Sequence, residues 1–209
     1  MCLESKTIFP KIAMEYKAID LGLPSGLKWS DRNVGAGKET DYGLYFQWGD
    51  TVGYTDASHS TWATCPGNGG NSTYDEDSIS AWDDENLLNG VLKPGVDAAT
   101  VSMGSRWRMP TIEDFAELFE YTNYEYTKID GVIGGKFISK ADTSKYIFLP
   151  FAGGAAGDLF IYQGSQGYLW SSSVNLDILK GAYSVCYGGY SFADGGDYRY
   201  GALPVRGVC

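Results

Sequence analysis

Along most of the 209-residue chain, apolar and polar residues alternate in short runs instead of forming long helical stripes. Strand-like segments fall at 16–21, 27–30 and 44–48, each bounded by Gly, Pro or Asp. From about 53 to 95 the pattern dissolves. The run Cys65-Pro66-Gly67-Asn68-Gly69-Gly70 cannot hold a regular element, so the spacing predicts a loop insertion with at most a short helical turn near Ser80 to Leu88. Two helices follow. One is bracketed by Asp97 as an N-terminal cap and Gly104 as a terminator. The other starts at Thr111, which stands in capping relation to Asp114, with Ile112, Phe115, Leu118 and Phe119 on one face. Beyond Tyr121 the chain returns to strands at 124–128, 136–139, 145–150, 167–172, 181–187 and 203–208. Helices confined to the middle predict an α+β domain with small antiparallel sheets, because a parallel sheet needs a crossover between successive strands. Residues 1–15 read as a lead-in and 16–209 as one domain, with no internal repeat.

Composition agrees with a folded chain: 44% of residues are apolar and 15% aromatic. The net charge of −10 lacks the basic footprint that phosphate neutralisation requires, so nucleic acid is not an expected partner. No apolar run approaches the roughly 20 residues of a membrane span, and membrane insertion is not expected. The start, Met1-Cys2-Leu3-Glu4-Ser5-Lys6, has no signal-peptide pattern, so export would need a leader already removed or another route. Cys2, Cys65, Cys186 and Cys209 form no C-x-x-C pair or zinc-like cluster and read as free thiols.

Candidate chemistry is sparse. His59, the single histidine, lies in a polar stretch that reads as surface loop, and no G-x-S-x-G elbow is present. Gly131-Val132-Ile133-Gly134-Gly135 has neither P-loop nor Rossmann spacing. The acidic runs Asp75-Glu76-Asp77 and Asp83-Asp84-Glu85 could ligate calcium but lack EF-hand spacing, and solvated loop charge is the default. No metal, cofactor or catalytic residue is predicted.

The stretch 164–209 stands apart, with nine of the chain's glycines and six of its tyrosines in 46 residues. Tyr, Ser, Gly and Asp mixed in this way form the composition of a binding paratope, in which rigid amphipathic rings cover area at low entropic cost. A glycine-rich β-hairpin whose tyrosines cover the sheet is the equally weighted alternative.

The chain also resembles a known family. Ala18-Ile19-Asp20-Leu21-Gly22-Leu23-Pro24-Ser25-Gly26-Leu27-Lys28-Trp29, Asn33-Val34-Gly35-Ala36 and Asp41-Tyr42-Gly43-Leu44-Tyr45-Phe46-Gln47-Trp48-Gly49-Asp50 look like the opening of the bacterial major paralogous domain family. Trp107-Arg108-Met109-Pro110-Thr111, Ile147-Phe148-Leu149-Pro150, Gly167-Tyr168-Leu169-Trp170-Ser171-Ser172-Ser173 and Pro204-Val205-Arg206 continue it in order. Ala202, preceded by Gly201, departs from the glycine usual before the closing strand. The resemblance implies a C-type lectin-like fold, in the branch shared with formylglycine-generating enzymes and the variable proteins of diversity-generating retroelements. Calcium-dependent sugar motifs of that fold do not occur here.

By that resemblance, the expectation is a non-enzymatic ligand- or receptor-binding protein. Its hypervariable C-terminal segment, about 164–209, would be diversified by a retroelement and displayed on a phage virion or bacterial cell surface toward a protein or glycan. The expected ligand face comprises Leu169, Asn175, Leu176, Asp177, Tyr183, Tyr187, Tyr190, Phe192, Asp194, Asp197, Tyr198 and Tyr200. Trp170, Arg108 and Arg206 are the expected scaffold, the arginines through buried carboxylate pairs. The alternatives are a formylglycine-generating-type oxidase, for which Cys186 has only Cys209 as a C-terminal companion, and an invariant structural surface domain.

Overall fold

The structure, a computed structural model, describes residues 15–177, 180–189 and 191–209, the side chains of 191–194 excepted. The chain begins with three short strands, β1 (Ala18–Asp20), β2 (Lys28–Asn33) and β3 (Tyr45–Gln47). The expected insertion is more ordered than its composition suggested. After an irregular stretch it forms the eleven-residue helix α1 (Glu76–Asn86) and a tight hairpin of β4 (Leu87–Leu88) and β5 (Val91–Leu92). The Asp75 carboxylate starts α1 by accepting from the Ser78 amide at 2.8 Å. Only Ile79 of the helix is fully buried, which is why an apolar stripe does not announce it.

The two predicted helices are present. α2 (Ala98–Met103) is capped by Asp97 and ends at Gly104, whose φ of 101° lies in the region glycine favours. Asp97 is buried and also accepts from the Met109 amide, tying the start of α2 to the next loop. α3 (Ile112–Tyr121) opens on a complete Thr111/Asp114 capping box and buries Phe115 and Leu118.

Three strands follow as a meander, β6 (Thr122–Ile129), β7 (Val132–Ser139) and β8 (Tyr146–Pro150). Two short ones come next, β9 (Gly154–Ala156) and β10 (Leu159–Ile161). The C-terminal stretch supplies β11 (Gly167–Asn175), β12 (Gly181–Gly188), β13 (Ser191–Tyr198), β14 (Ala202–Pro204) and β15 (Arg206–Val208). The sheets run β1-β2-β15, β10-β9-β14-β3, β13-β12-β11-β5-β4 and β6-β7-β8, and every strand pair among the described residues is antiparallel. The molecule is therefore mixed α and β, built of small antiparallel sheets with three α-helices among the described residues. Among the described residues no helix is long and apolar enough to cross a membrane.

β11 and β12 are covered on both faces. On one side Leu169, Val185 and Tyr187 join Trp29, Phe115, Leu118, Phe137 and Phe151. On the other, Trp170, Val174 and Ala182 join Phe46, Trp48, Met109 and Val205. The side-chain period of two sends Leu169 and Trp170 into different cores. Between Trp170 and Val174 the register with β12 shifts, and Ser171, Ser172 and Ser173 take up the freed polar positions. The Ser171 carbonyl accepts from Trp48 Nε1 at 2.9 Å, and the Ser172 amide donates to Pro110 at 2.8 Å. Trp170 Nε1 reciprocates by donating to the Phe46 carbonyl at 2.8 Å.

Candidate binding face

The irregular stretch before α1 is organised by one side chain. Asn68 is fully buried, and its Nδ2 lies within 3.0 Å of the Trp62, Asn71 and Thr73 carbonyls while its Oδ1 accepts from the Asp75 amide at 2.8 Å. A buried amide so placed replaces the missing backbone ladder. Gly67 beside it has φ of 80°, and a Cβ there would come within 2.6 Å of the Trp82 ring. The consequence is a rigid bend that presents Trp62 and Tyr74.

Two devices fasten this bend to the C-terminal stretch. Gln47, buried on β3, donates from Nε2 to the carbonyls of both Thr61 and Tyr200 at 2.9 Å. Arg199, between β13 and β14, makes a bidentate pair with Asp83 of α1, Nη1 to Oδ1 at 2.6 Å and Nη2 to Oδ2 at 2.9 Å. Its guanidinium lies 4.6 Å from the centre of the Trp48 ring, and Nε donates to the Gly181 carbonyl at 3.2 Å.

The result is an aromatic face made from two distant segments. Trp62 meets Tyr74 at 5.3 Å, Tyr200 at 4.9 Å and Tyr198 at 6.4 Å between ring centres, and Tyr198 stacks on Tyr200 at 5.9 Å. Tyr198 is 52% exposed, and the other three are half-buried. Tyr74 also borders a groove of about 150 Å³ lined by Glu76, Asp83, Asn175, Leu176 and Lys180. Burial, and then the carboxylate of Glu76, push the Tyr74 phenol above its ordinary range.

Five of the predicted ligand residues come together here. Tyr198 and Tyr200 form the aromatic face, Asn175 and Leu176 line the groove, and exposed Asp177 follows Leu176. Asn175 is itself buried and accepts from the Asp177 amide at 3.0 Å, so it shapes the loop after β11 more than it meets solvent. Leu176 is 84% exposed. Asp197 is half-buried and accepts from Ser184 Oγ at 2.5 Å. Tyr183 is half-buried on β12. Tyr190 and the side chains of Phe192 and Asp194 lie outside the described residues.

Leu169 and Tyr187 require correction, since neither reaches the surface. Leu169 packs against Val185 in the core. The Tyr187 ring sits 6.1 Å from Phe137 and 5.9 Å from Phe151, with its hydroxyl donating to the Pro150 carbonyl at 3.1 Å. A tyrosine on a strand covered on both faces serves as a core aromatic with its polar tip satisfied. In the β12–β13 hairpin Tyr187 is thus packed inside instead of being presented to solvent.

The arginines differ from expectation too. Arg108 pairs with Asp114 at 2.5 Å at a half-exposed site. Arg206 is fully buried without a carboxylate among the described residues, donating to the carbonyls of Ser30 and Phe148, and burial pulls its pKa down to about 10. Arg199, not named from the sequence, makes the buried bidentate pair.

Trp62, Tyr74 and Lys180 were also missed. Their signal was faint: a Trp and a Tyr in a Gly-, Asn- and Thr-rich stretch with no apolar period around them. Elsewhere, His59 stacks on Tyr54 at 3.8 Å in a turn, as its loop assignment expects. Its Nδ1 faces both Ser58 Oγ at 3.1 Å and Asp56 at 3.7 Å, whereas a relay uses the two ring nitrogens separately. Cys65, Cys186 and Cys209 are free thiols, while Cys2 lies outside the described residues. Burial pushes the Cys186 thiol up and that of Cys65 to about 12, the reverse of thiol activation. Of the acidic runs, Asp75 caps α1 and Asp83 holds Arg199. No protein-family model, curated protein or solved structure matches the chain.

Proposed function

We propose that this chain is a non-enzymatic ligand-binding protein of C-type lectin-like fold, whose exposed C-terminal positions are diversified by a retroelement for recognition at a cell surface. The observation that carries the reading is the aromatic face of Trp62, Tyr74, Tyr198 and Tyr200, held open by Gln47 and by the Asp83–Arg199 pair. Exposed aromatic area rimmed by polar residues is what marks an interaction surface on a small soluble domain. The segment also divides by depth. Leu169, Trp170, Val185 and Tyr187 lie fully in the core, whereas Leu176, Asp177 and Tyr198 are exposed, so their replacement costs little stability. A segment with that division can change its contacts without losing its fold.

The test is genomic. The DNA around the gene should hold a reverse transcriptase and a near-copy of the segment encoding about 164–209, differing mainly at adenines. Sequences from related isolates should vary at Leu176, Asp177, Tyr198 and Tyr200 while Leu169, Trp170 and Tyr187 stay constant. An invariant segment with no near-copy would refute diversification and favour a fixed surface domain.

A further inference from the structure

The aromatic face and its groove carry an uneven charge. Glu76 lines the groove, Asp177 stands exposed at the loop after β11, and Asp77, Asp84 and Glu85 are exposed along α1. Two cations are nearby. Both outer nitrogens of the Arg199 guanidinium are occupied by Asp83, which leaves it no free charge to offer. The other is Lys180, whose ammonium lies 4.7 Å from the centre of the Tyr74 ring. Among the described residues Lys180 makes no ion pair, and its backbone is held at φ of 84°, a conformation that side chains other than glycine adopt at a cost. The chain as a whole stands at −10.

We propose that this face recognises a cationic side chain, arginine or lysine, on a basic peptide or protein, and that Lys180 holds the same position on Tyr74 in the free protein. The proposal rests on the reading of this face as a binding surface and names the chemistry of its partner. An aromatic ring attracts a cation over its face through the ring quadrupole, and Trp does so most strongly. Trp62, Tyr74 and Tyr198 offer such faces within one patch, and the surrounding carboxylates add long-range attraction for positive charge. An anionic ligand would meet those same carboxylates as repulsion. Lys180 shows which surface of Tyr74 a cation takes, and a ligand cation arriving there displaces a half-buried side chain for which one ring contact is seen among the described residues.

The experiment is isothermal titration of the full chain at low ionic strength with a hexa-arginine peptide capped at both ends, and with hexaglutamate as its counterpart. Hexa-arginine should bind saturably and hexaglutamate should not. Trp62→Leu and Tyr198→Ala, which leave the net charge unaltered, should each weaken hexa-arginine about three- to tenfold. Lys180→Met should tighten it by a similar factor by removing the competitor. Tyr198 is half-exposed, so its variant keeps the fold should Trp62→Leu disturb the loop. Equal affinity of wild type and both ring variants would reduce the effect to diffuse attraction by an acidic protein and overturn the proposal. Absence of hexa-arginine binding, or tighter binding of hexaglutamate, would overturn it as well. These results are independent of the genomic test: a near-copy found without hexa-arginine binding defeats only the cation chemistry, and binding without a near-copy defeats only diversification.

Discussion

Removing the anion from the Asp83–Arg199 pair tests how much of the clamp between the two halves of the aromatic face this buried contact supplies beside Gln47. The Arg199 side chain is 5% exposed and that of Asp83 24%. Asp83→Ala leaves a guanidinium enclosed by the Trp48 ring and the Gly181 carbonyl, with no carboxylate to neutralise it. Breaking a fully buried pair in this way costs about 3–5 kcal/mol, and because water reaches a quarter of Asp83 the expected loss here is about 2–4 kcal/mol. Arg199→Met removes the charge along with its partner's need for it and should cost only about 1–2 kcal/mol, chiefly in lost hydrogen bonds. In the double variant Asp83→Ala/Arg199→Met the losses should fall short of their sum by about 1–2 kcal/mol. For a chain of this length the single Asp83→Ala change corresponds to a drop in Tm of about 4–16 °C. Urea denaturation of the four proteins gives the cycle, with calorimetry as a check. A loss below about 0.5 kcal/mol for Asp83→Ala, or additivity of the two changes within about 0.5 kcal/mol, would refute the clamp.

Two further outcomes are expected. Asn68→Ala strands the carbonyls of Trp62, Asn71 and Thr73 and the amide of Asp75, so it should destabilise the protein by about 2–4 kcal/mol, and hydrogen exchange should rise first between residues 61 and 75; unchanged exchange there would contradict the organising role. At alkaline pH the fold should weaken, because burial pushes the phenols of Tyr45 and Tyr124 up to about 12, and that of Tyr187 further still, while unfolded phenols ionise near 10. The folded state then binds more protons above pH 10, and stability falls as pH rises, Tyr187 alone contributing about 1.4 kcal/mol per pH unit. Arg206, depressed to about 10, works in the opposite direction but is one group against four, since burial raises the Tyr168 phenol as well. Tyrosinate absorbance followed alongside circular dichroism should show these phenols ionising together with unfolding; smooth titration of all tyrosines near 10 in a folded protein would disprove it.

Local chemistry alone was enough to mark several elements. Asp97 and Gly104 bracket α2, and Thr111 with Asp114 begins α3, because a cap is a relation between residues only a few positions apart. The strands from β6 to β8 were legible from alternating runs for the same reason. α1 was not, since a helix that buries little more than Ile79 has no stripe to read.

The sequence by itself also determined the division of the chain into an aliphatic and aromatic scaffold and a glycine- and tyrosine-rich C-terminal stretch. Which tyrosines of that stretch face outward was decided only by tertiary structure. Tyr187 and Tyr198 have the same side chain in similar company, yet one is walled in by Phe137 and Phe151 from distant parts of the chain, whereas the rings seen against the other among the described residues are Trp62 and Tyr200. Period-two alternation assigns a residue to a face of the sheet, but whether that face is covered depends on elements tens of residues away. The aromatic face likewise depends on Gln47 and Arg199, which bring residues 61–83 against residues 198–200, a long-range pairing that no local spacing encodes.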